Sequence, residues 1–360
     1  LSPSFDDDLD LRSDLANTVG AYLARYKRPR KKPRPMTNHL ASGKSNCDEY
    51  RQFAGTWVSH YWFQSGHGGA GDTTGPCAPM EDASTEPGAI LNAMQRAREM
   101  PLTLSGYSNP RLPAINAEGP YDSTNFQSDV AHPGVDTRYR VRQAGYYTAL
   151  SNGVGYSYGA HGITIWDTPP THAPPDGYFD LPSANDIGAL RANLLGQRLV
   201  GHHEWIQNQQ SSEKYKMVLA SDEASKILVY LPGDEPLTAP GLSSDTIVIG
   251  GTSFADLACP SSSGQPWTFK WIDPVSNTEQ PSGSSCSGSG TITAKRPTCL
   301  LDTACDWLLR IERTGSSGIA SGGGASFSAA NSASASPADR GLLAWADHSA
   351  GPRASAISVS

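Results

Sequence analysis

The sequence predicts a chain of two structural parts, an α/β part with parallel strands followed by an all-β part with antiparallel strands. Three observations lead to this fold class. Up to about residue 210, short apolar segments alternate with helical stretches, which is the pattern of βα units. Beyond that point only short β-rich segments occur, separated by clusters of Pro, Gly and Ser. The 360 residues are also enough for two domains of ordinary size.

The first part contains strand-like segments that each end in polar side chains. In parallel α/β folds, ligands bind at the carboxyl ends of the strands, so these side chains are expected to line one site. The predicted strands cover residues 34–39, 57–64, 112–117 and 153–166.

Helical stretches separate these strands and cover residues 9–26, 89–99, 138–150 and 183–200. The second is expected to stop at Pro101, because proline disrupts a helix interior. The third is expected to end at Asn152 and Gly153, which suit a helix C-cap. At the start of the last, Ser183 and Asp186 have the spacing of a capping box.

The second part is predicted to be an antiparallel β-sandwich, because six short strands with turn residues between them are typical of that class. These strands cover residues 215–220, 227–231, 246–249, 267–272, 291–293 and 307–311. The domain boundaries follow: a first domain over 1–208, the sandwich over 209–313, a Ser/Gly-rich linker over 314–337 and the start of a further β segment over 338–360.

Composition excludes some classes of function. A net charge of −7 argues against a nucleic-acid-binding protein, and the absence of an apolar run of about 18 residues argues against a membrane span. Six Cys in loop-like surroundings favour disulfides and a secreted protein, and proximity suggests the pairs 47–77, 259–286 and 299–305. Six free thiols in a cytosolic protein stay open as the alternative.

The strongest catalytic candidate is Glu118, which lies just past a predicted buried strand. A carboxylate fixed at a strand end suits the nucleophile or base of a glycosidase, although a loop-bracing role would leave the same pattern. A glycosidase needs a second carboxylate, and Asp6, Asp7 or Asp8 can supply it. The alternative for these three is an acidic helix start.

Other polar and aromatic side chains near the strand ends are candidates for binding substrate. Amides and imidazoles can hydrogen-bond sugar hydroxyls, and aromatic rings can stack on sugars or fill a core. Three His could instead suggest zinc, but no paired His spacing supports a metal site. The candidates are His39, Gln64, His67, Asn116, Tyr121, Tyr156, Tyr158, His161 and Trp166.

The motifs around these residues resemble those of the apiosidase-like glycoside hydrolases. In that family a (β/α)8 barrel is followed by a small β-sandwich of the collagen-binding type. The order and spacing of the matching segments extend from residue 1 to about residue 312. The main ones are Trp62-Phe63-Gln64-Ser65-Gly66-His67, Pro113-Ala114-Ile115-Asn116-Ala117-Glu118-Gly119-Pro120-Tyr121 and Gly155-Tyr156-Ser157-Tyr158-Gly159-Ala160-His161-Gly162.

The resemblance implies a retaining hydrolase, and we expect it to act on plant cell-wall polysaccharide as a secreted monomer. No cofactor is expected, because the reaction needs only two carboxyl groups. Glu118 matches the motif glutamate, the nucleophile, and Asp6 or Asp7 is the best candidate for the acid/base. Two departures stand out. Gly119 follows Glu118 where Pro is expected, and about 205 residues precede the sandwich, whereas a full barrel takes about 250.

The short first part therefore predicts the C-terminal half of a TIM-like (β/α)8 barrel. Half a barrel leaves strand edges unpaired and half the core missing, so such a chain is expected to be poorly stable and inactive by itself. The alternative function is a non-catalytic extracellular protein that binds polysaccharide or matrix. A structural surface protein is a third hypothesis, supported only by the Ser/Gly linker.

Overall fold

The structure is a computed structural model that describes about two fifths of the chain. Ala21 and Thr37 are described singly. The longer described stretches are 57–65, 86–105, 112–122, 137–160, 181–194, 199–209, 216–221, 225–233, 246–251, 267–282, 290–297 and 306–313.

Over its described stretches, the first part contains a parallel sheet and three helices of known bounds. The sheet has three strands in the order β1 (Tyr61–Gln64), β2 (Ala114–Glu118) and β3 (Gly155–Tyr156), and both pairings are parallel. Helix α1 (Glu86–Ser105) connects β1 to β2, and α2 (Thr137–Leu150) connects β2 to β3. Helix α3 (Pro182–Leu194) follows β3. The predicted parallel βα pattern is therefore present over these strands, and the strand predicted at 34–39 lies outside the described residues apart from Thr37.

Helix α1 does not stop at Pro101, as the sequence predicted, but continues to Ser105. The turn beyond the proline carries Leu104, which is fully buried with Met100 against the side chains of Tyr61 and Phe63. Burying the Leu104 side chain stabilises by about 1.5–3 kcal/mol, which offsets most of the cost of about 3 kcal/mol for a proline within a helix.

The sequence predicted a C-cap at the end of α2 and a capping box at the start of α3, and only the C-cap is present. Asn152 takes up a positive φ of 65° after α2, and the Gly153 N–H returns to the Thr148 carbonyl at 2.9 Å, so the predicted C-cap is confirmed. The predicted capping box at the start of α3 is wrong. Ser183 and Asp186 are both fully buried, and each is hydrogen-bonded to another part of the chain instead.

Antiparallel sheets form the second part. The described strands are β4 (Val200–Gly201), β5 (Met217–Ala220), β6 (Lys226–Leu231), β7 (Thr246–Ile249), β8 (Trp267–Ile272), β9 (Glu279–Pro281), β10 (Ile292–Lys295) and β11 (Trp307–Arg313). Of these, six form one sheet in the order β4-β5-β6-β11-β8-β9, and two form the other in the order β10-β7. The first strand begins at Val200, upstream of the predicted boundary at residue 209.

The six-stranded sheet is covered on both faces. One face shares a hydrophobic core with the two-stranded sheet, in which Val229 and Trp271 meet Ile249 and Ile292. The other face shares a core with the helices of the first part, where Tyr230 stacks on Tyr146 with ring centroids 4.6 Å apart. The structure thus shows a parallel sheet, two antiparallel sheets and helices packed together, while half a TIM-like barrel and a sandwich remain predictions.

Candidate functional site

The candidate site lies at the carboxyl ends of the three parallel strands. Glu118, the last residue of the central strand β2, pairs with Gln64, the last residue of β1. The register shifts by one residue between Phe63 and Gln64, which brings Gln64 beside Glu118. Gln64 is buried and Glu118 is partly exposed, so the carboxyl group stands at the accessible edge of the sheet.

Tyr121 holds the Glu118 side chain. Its hydroxyl is hydrogen-bonded to the Glu118 carboxylate, three residues earlier in the chain. Burial, that hydrogen bond and the negative charge of Glu118 raise the pKa of Tyr121 well above its usual value. Tyr121 is therefore protonated at neutral pH, and its hydroxyl donates its hydrogen to the Glu118 carboxylate.

Two glycines let the loops after β2 and β3 approach closely. A Cβ atom at Gly159 would lie 2.5 Å from the ring of Tyr121, and one at Gly119 would lie 2.5 Å from the hydroxyl oxygen of Tyr156. Neither position has room for a side chain. The Tyr121 ring is thus packed against the backbone at Gly159, which fixes the direction of the hydroxyl that reaches Glu118.

A second polar cluster lies beside this pair and joins three elements. Asp122 is buried, and its Oδ2 atom accepts hydrogen bonds from Tyr158 at 3.3 Å and from Ser183 at the start of α3. The Tyr158 and Ser183 hydroxyl oxygens are 3.1 Å apart. Tyr158 itself is partly exposed, with a pKa raised to about 12, chiefly by burial.

Asn116 was expected to bind substrate, but the structure places it in the interior. It is fully buried on β2, where its Nδ2 atom donates to Ser65 at 2.9 Å and to Thr148 at 3.0 Å. Its Oδ1 atom accepts the Ser65 N–H at 3.3 Å. The amide group therefore joins β1 and β2 to helix α2, and Asn116 is not part of the site proposed below.

Several predicted site residues fall outside the described part of the chain. They are the two acid/base candidates, Asp6 and Asp7, and the substrate-binding candidates His39, His67, His161 and Trp166. All six Cys are also outside it. Among the side chains that are described, no three or more His, Cys, Asp or Glu come close enough to hold a metal ion, and no helix is long and apolar enough to span a membrane.

Sequence reasoning overlooked Asp122 and Ser183. Asp122 directly follows Tyr121 in the segment that drew attention to Glu118, so its place beside a strand end was visible. Ser183 was not visible as a partner, because it is 61 residues away along the chain and its position at a helix start suggested a cap.

Comparisons with known proteins agree with this architecture. The apiosidase-like catalytic domain matches residues 5–201, which end where the six-stranded sheet begins. No curated protein gives a significant sequence match. A glycoside hydrolase family 5 structure from Bacteroides vulgatus superposes with a TM-score of 0.56 at 17% identity, over 78% of this chain and 56% of that one.

A second structure, described as a glycoside hydrolase, also has a TM-score of 0.56, at 16% identity, over 84% of this chain and 69% of that one. The chain thus spans just over half the length of the first of these structures. At such low identities both likenesses show the fold alone, a glycoside hydrolase fold. The family match covers more than half of the residues and carries the assignment: this chain belongs to the apiosidase-like family.

Proposed function

We propose that the protein is a retaining glycoside hydrolase in which Glu118 is the nucleophile. The observation that carries this proposal is the position of Glu118 at the carboxyl end of the central parallel strand, with its carboxylate hydrogen-bonded by Tyr121. A nucleophile must be fixed in direction, and a hydrogen bond from the protonated Tyr121 hydroxyl does this for the Glu118 carboxylate. The family assignment and the glycoside hydrolase fold agree with this role.

In the proposed reaction, the Glu118 carboxylate attacks the anomeric carbon as the bond to the leaving oxygen breaks. A second carboxylic acid, for which Asp6 or Asp7 is the candidate, gives its proton to that oxygen. The same group then takes a proton from water, which hydrolyses the glycosyl–enzyme ester and restores Glu118. No cofactor is required, because two carboxyl groups carry every proton and bond change.

The proposed substrate is a plant cell-wall polysaccharide with apiosyl units, in line with the family. Gln64 borders Glu118 directly, and Tyr158 lies one loop away. We expect His39, His67, His161 and Trp166 to complete the sugar-binding surface. Secretion, a monomeric state and disulfides among the six Cys belong to the same proposal.

The decisive test is chemical rescue at Glu118. Glu118→Gln is expected to lower kcat on a 4-nitrophenyl glycoside or pectic polysaccharide at least 1,000-fold, with the melting temperature nearly unchanged. Glu118→Gly with added azide should recover turnover and release a glycosyl azide of inverted configuration. Glu204→Gln, at a carboxylate that is 63% exposed, is the control and should keep wild-type activity.

The alternative, a polysaccharide-binding protein without catalysis, predicts a different outcome. Polysaccharide would then bind to the wild type and to Glu118→Gln with similar affinity, and neither would release reducing sugar. Isothermal calorimetry and a reducing-sugar assay on the same samples separate the two functions. Binding without turnover would overturn the proposed hydrolase activity of this chain.

A further inference from the structure

We propose that Asp122 and Ser183 are positioning residues that turn the hydroxyl hydrogen of Tyr158 inward, so that Tyr158 offers only an oxygen acceptor to a sugar hydroxyl beside Glu118. This inference rests on the proposed function, because it describes how the same site chooses its ligand. It goes further by stating which partner the ligand must supply at this point, a hydrogen-bond donor.

The number of hydroxyl hydrogens in the cluster explains why Tyr158 can only accept a hydrogen bond from a ligand. A hydroxyl group has one hydrogen, and an ionised carboxylate can only accept. Ser183 gives its hydrogen to Asp122. Tyr158 has two acceptors within reach, Asp122 Oδ2 at 3.3 Å and Ser183 Oγ at 3.1 Å, and both lie inside the protein. Whichever of the two it uses, its hydrogen is taken up, and only lone pairs remain for a ligand.

The cluster is rigid enough to impose that orientation. Asp122 is 4% exposed and Ser183 0% exposed, so water does not compete for their hydrogen bonds. The Asp122 backbone N–H is fixed to the Gly159 carbonyl at 2.9 Å. Burial and the nearby Asp122 charge also keep Tyr158 protonated at neutral pH. Its hydroxyl therefore does not change polarity by ionising.

The backbone connects this acceptor to the segment that carries the proposed nucleophile. Tyr158 precedes Gly159, whose backbone packs on the ring of Tyr121, and Tyr121 is bonded to Glu118. Asp122 follows Tyr121 in the chain, so both hydroxyl-bearing rings are tied to the same segment. Tyr158 is partly exposed whereas Asp122 and Ser183 are buried, so of these three side chains Tyr158 is the one that a ligand can reach.

The orientation can be tested without any substrate, by fluorine NMR of protein labelled with 3-fluorotyrosine. The resonance that Tyr158→Phe lacks identifies Tyr158. Asp122→Asn and Ser183→Ala should each shift that resonance. The first replaces the carboxylate that accepts from Tyr158 with an amide, and the second removes the hydroxyl oxygen beside Tyr158. Asp273→Asn, at a carboxylate that accepts hydrogen bonds in an exposed turn, is the matched control and should leave it unmoved. An unshifted resonance in both Asp122→Asn and Ser183→Ala would overturn the positioning role.

The ligand contact is tested by kinetics on a 4-nitrophenyl glycoside that the wild type hydrolyses. Tyr158→Phe should raise KM about three- to tenfold, the effect of one uncharged hydrogen bond, with kcat nearly unchanged. Asp122→Asn replaces a carboxylate that only accepts with an amide that can donate to Tyr158, so it disturbs the orientation of the Tyr158 hydroxyl and should also raise KM. Asp273→Asn should leave KM unchanged. A merely structural role would instead lower kcat together with the melting temperature.

The two experiments separate failure of this inference from failure of the proposed function. If Tyr158→Phe keeps the wild-type KM while the NMR shifts occur, Tyr158 is oriented as described but does not contact the ligand, and the inference is overturned. If the wild type hydrolyses no glycoside, the proposed hydrolase fails. Isothermal calorimetry with pectic oligosaccharide then decides whether Tyr158 contacts a sugar, and equal affinities for Tyr158→Phe and wild type would again overturn the inference.

Discussion

At the scale of single residues, His203 is a largely buried imidazole at the junction between the two parts of the chain. It lies in a short 3-10 helix, His203–Trp205, and its Nδ1 atom accepts the Val218 N–H at 3.0 Å. Burial lowers the pKa of His203 to about 4, against the raising effect of the Glu204 charge. The folded protein therefore holds His203 neutral at a pH where the unfolded chain is already protonated.

This difference makes stability depend on pH. Between about pH 6.5 and 4 the unfolded state binds more protons at His203 than the folded state, so the free energy of unfolding rises with pH in this range. The contribution is complete above pH 6.5 and is lost as the pH falls to about 4, by at most about 3 kcal/mol.

We expect His203→Asn, which retains an acceptor for the Val218 N–H but does not titrate, to lose less stability than the wild type on acidification. Urea unfolding at pH 7, 6, 5 and 4 measures this, and the difference between the two curves isolates His203 from the carboxylates. Parallel curves for the two proteins would show that His203 does not titrate in this way.

A substitution at Gly159 tests whether the position of the Tyr121 hydroxyl depends on the packing of its ring against the Gly159 backbone. A Cβ atom at position 159 would meet the Tyr121 ring at 2.5 Å, so Gly159→Ala must displace that ring and its hydroxyl from Glu118. We expect at least a tenfold loss of kcat/KM on a hydrolysed glycoside, with about 1–3 kcal/mol of destabilisation. If full activity survives in Gly159→Ala, the Tyr121–Glu118 hydrogen bond does not control the reaction.

At the scale of elements, helix α3 contains a glycine that contrasts with Gly159, because it has room for a side chain. Gly188 lies on its exposed face, and a Cβ atom there would have no neighbour within 4 Å. Gly188→Ala removes the conformational entropy cost of glycine in a helix, so we expect the free energy of unfolding to rise by about 0.5–1 kcal/mol. Activity should stay at the wild-type level. A melting temperature that falls in thermal unfolding would contradict this account of α3.

The elements also show what local sequence can predict. Strand β8 was found at its predicted bounds, because Trp267, Phe269 and Trp271 alternate with polar residues and all three face the same core. Helix α1 ran past its predicted stop, because burial of Leu104 depends on distant strands that local sequence does not reveal. Strand β4 has only two residues, too few for any periodic signal, and owes its existence to pairing with β5.

In the candidate site, too, local patterns were predicted from the sequence and contacts between distant residues were not. Glu118 was predicted because a carboxylate directly after a strand is a local pattern, and the structure indeed places it at the sheet edge. Asp122 and Ser183 were missed because their meaning lies in a contact across 61 residues. Asn116 has a local position like that of Glu118, but its side chain is hydrogen-bonded to Ser65 and Thr148 in the interior, a difference that the local pattern does not reveal.

At the scale of the whole molecule, a buried ion-pair network joins the helices to the six-stranded sheet. Arg142 on α2 makes two parallel hydrogen bonds to Asp306, the residue directly before β11, at 2.9 and 2.7 Å. Its third nitrogen donates to Asp186 on α3 at 2.7 Å. Tyr230 on β6 also donates to Asp306. One guanidinium thus fixes two helices against the sheet.

The buried charges of this network stabilise the protein only when the cation and both carboxylates are present. Side-chain exposure is 2% for Arg142, 0% for Asp186 and 1% for Asp306. Burial alone would lower the pKa of Arg142, but the charges of Asp306 and Asp186 outweigh it and raise that pKa above its usual value. Removing the cation would leave two carboxylates buried without it, which is more costly than the net worth of the pairs.

Arg142→Met is therefore expected to destabilise the protein by about 3–5 kcal/mol in urea unfolding followed by circular dichroism and Trp fluorescence. Arg138→Met, which removes a guanidinium that is 30% exposed from the same Asp186, should cost less than half of that. The sharper test adds Asp306→Asn, because neutralising one stranded carboxylate should restore part of the lost stability in Arg142→Met, although Asp306→Asn alone destabilises. If the two substitutions simply add, the stranded charge is not what makes Arg142 necessary, and the packing of helices on the sheet is what joins the two parts.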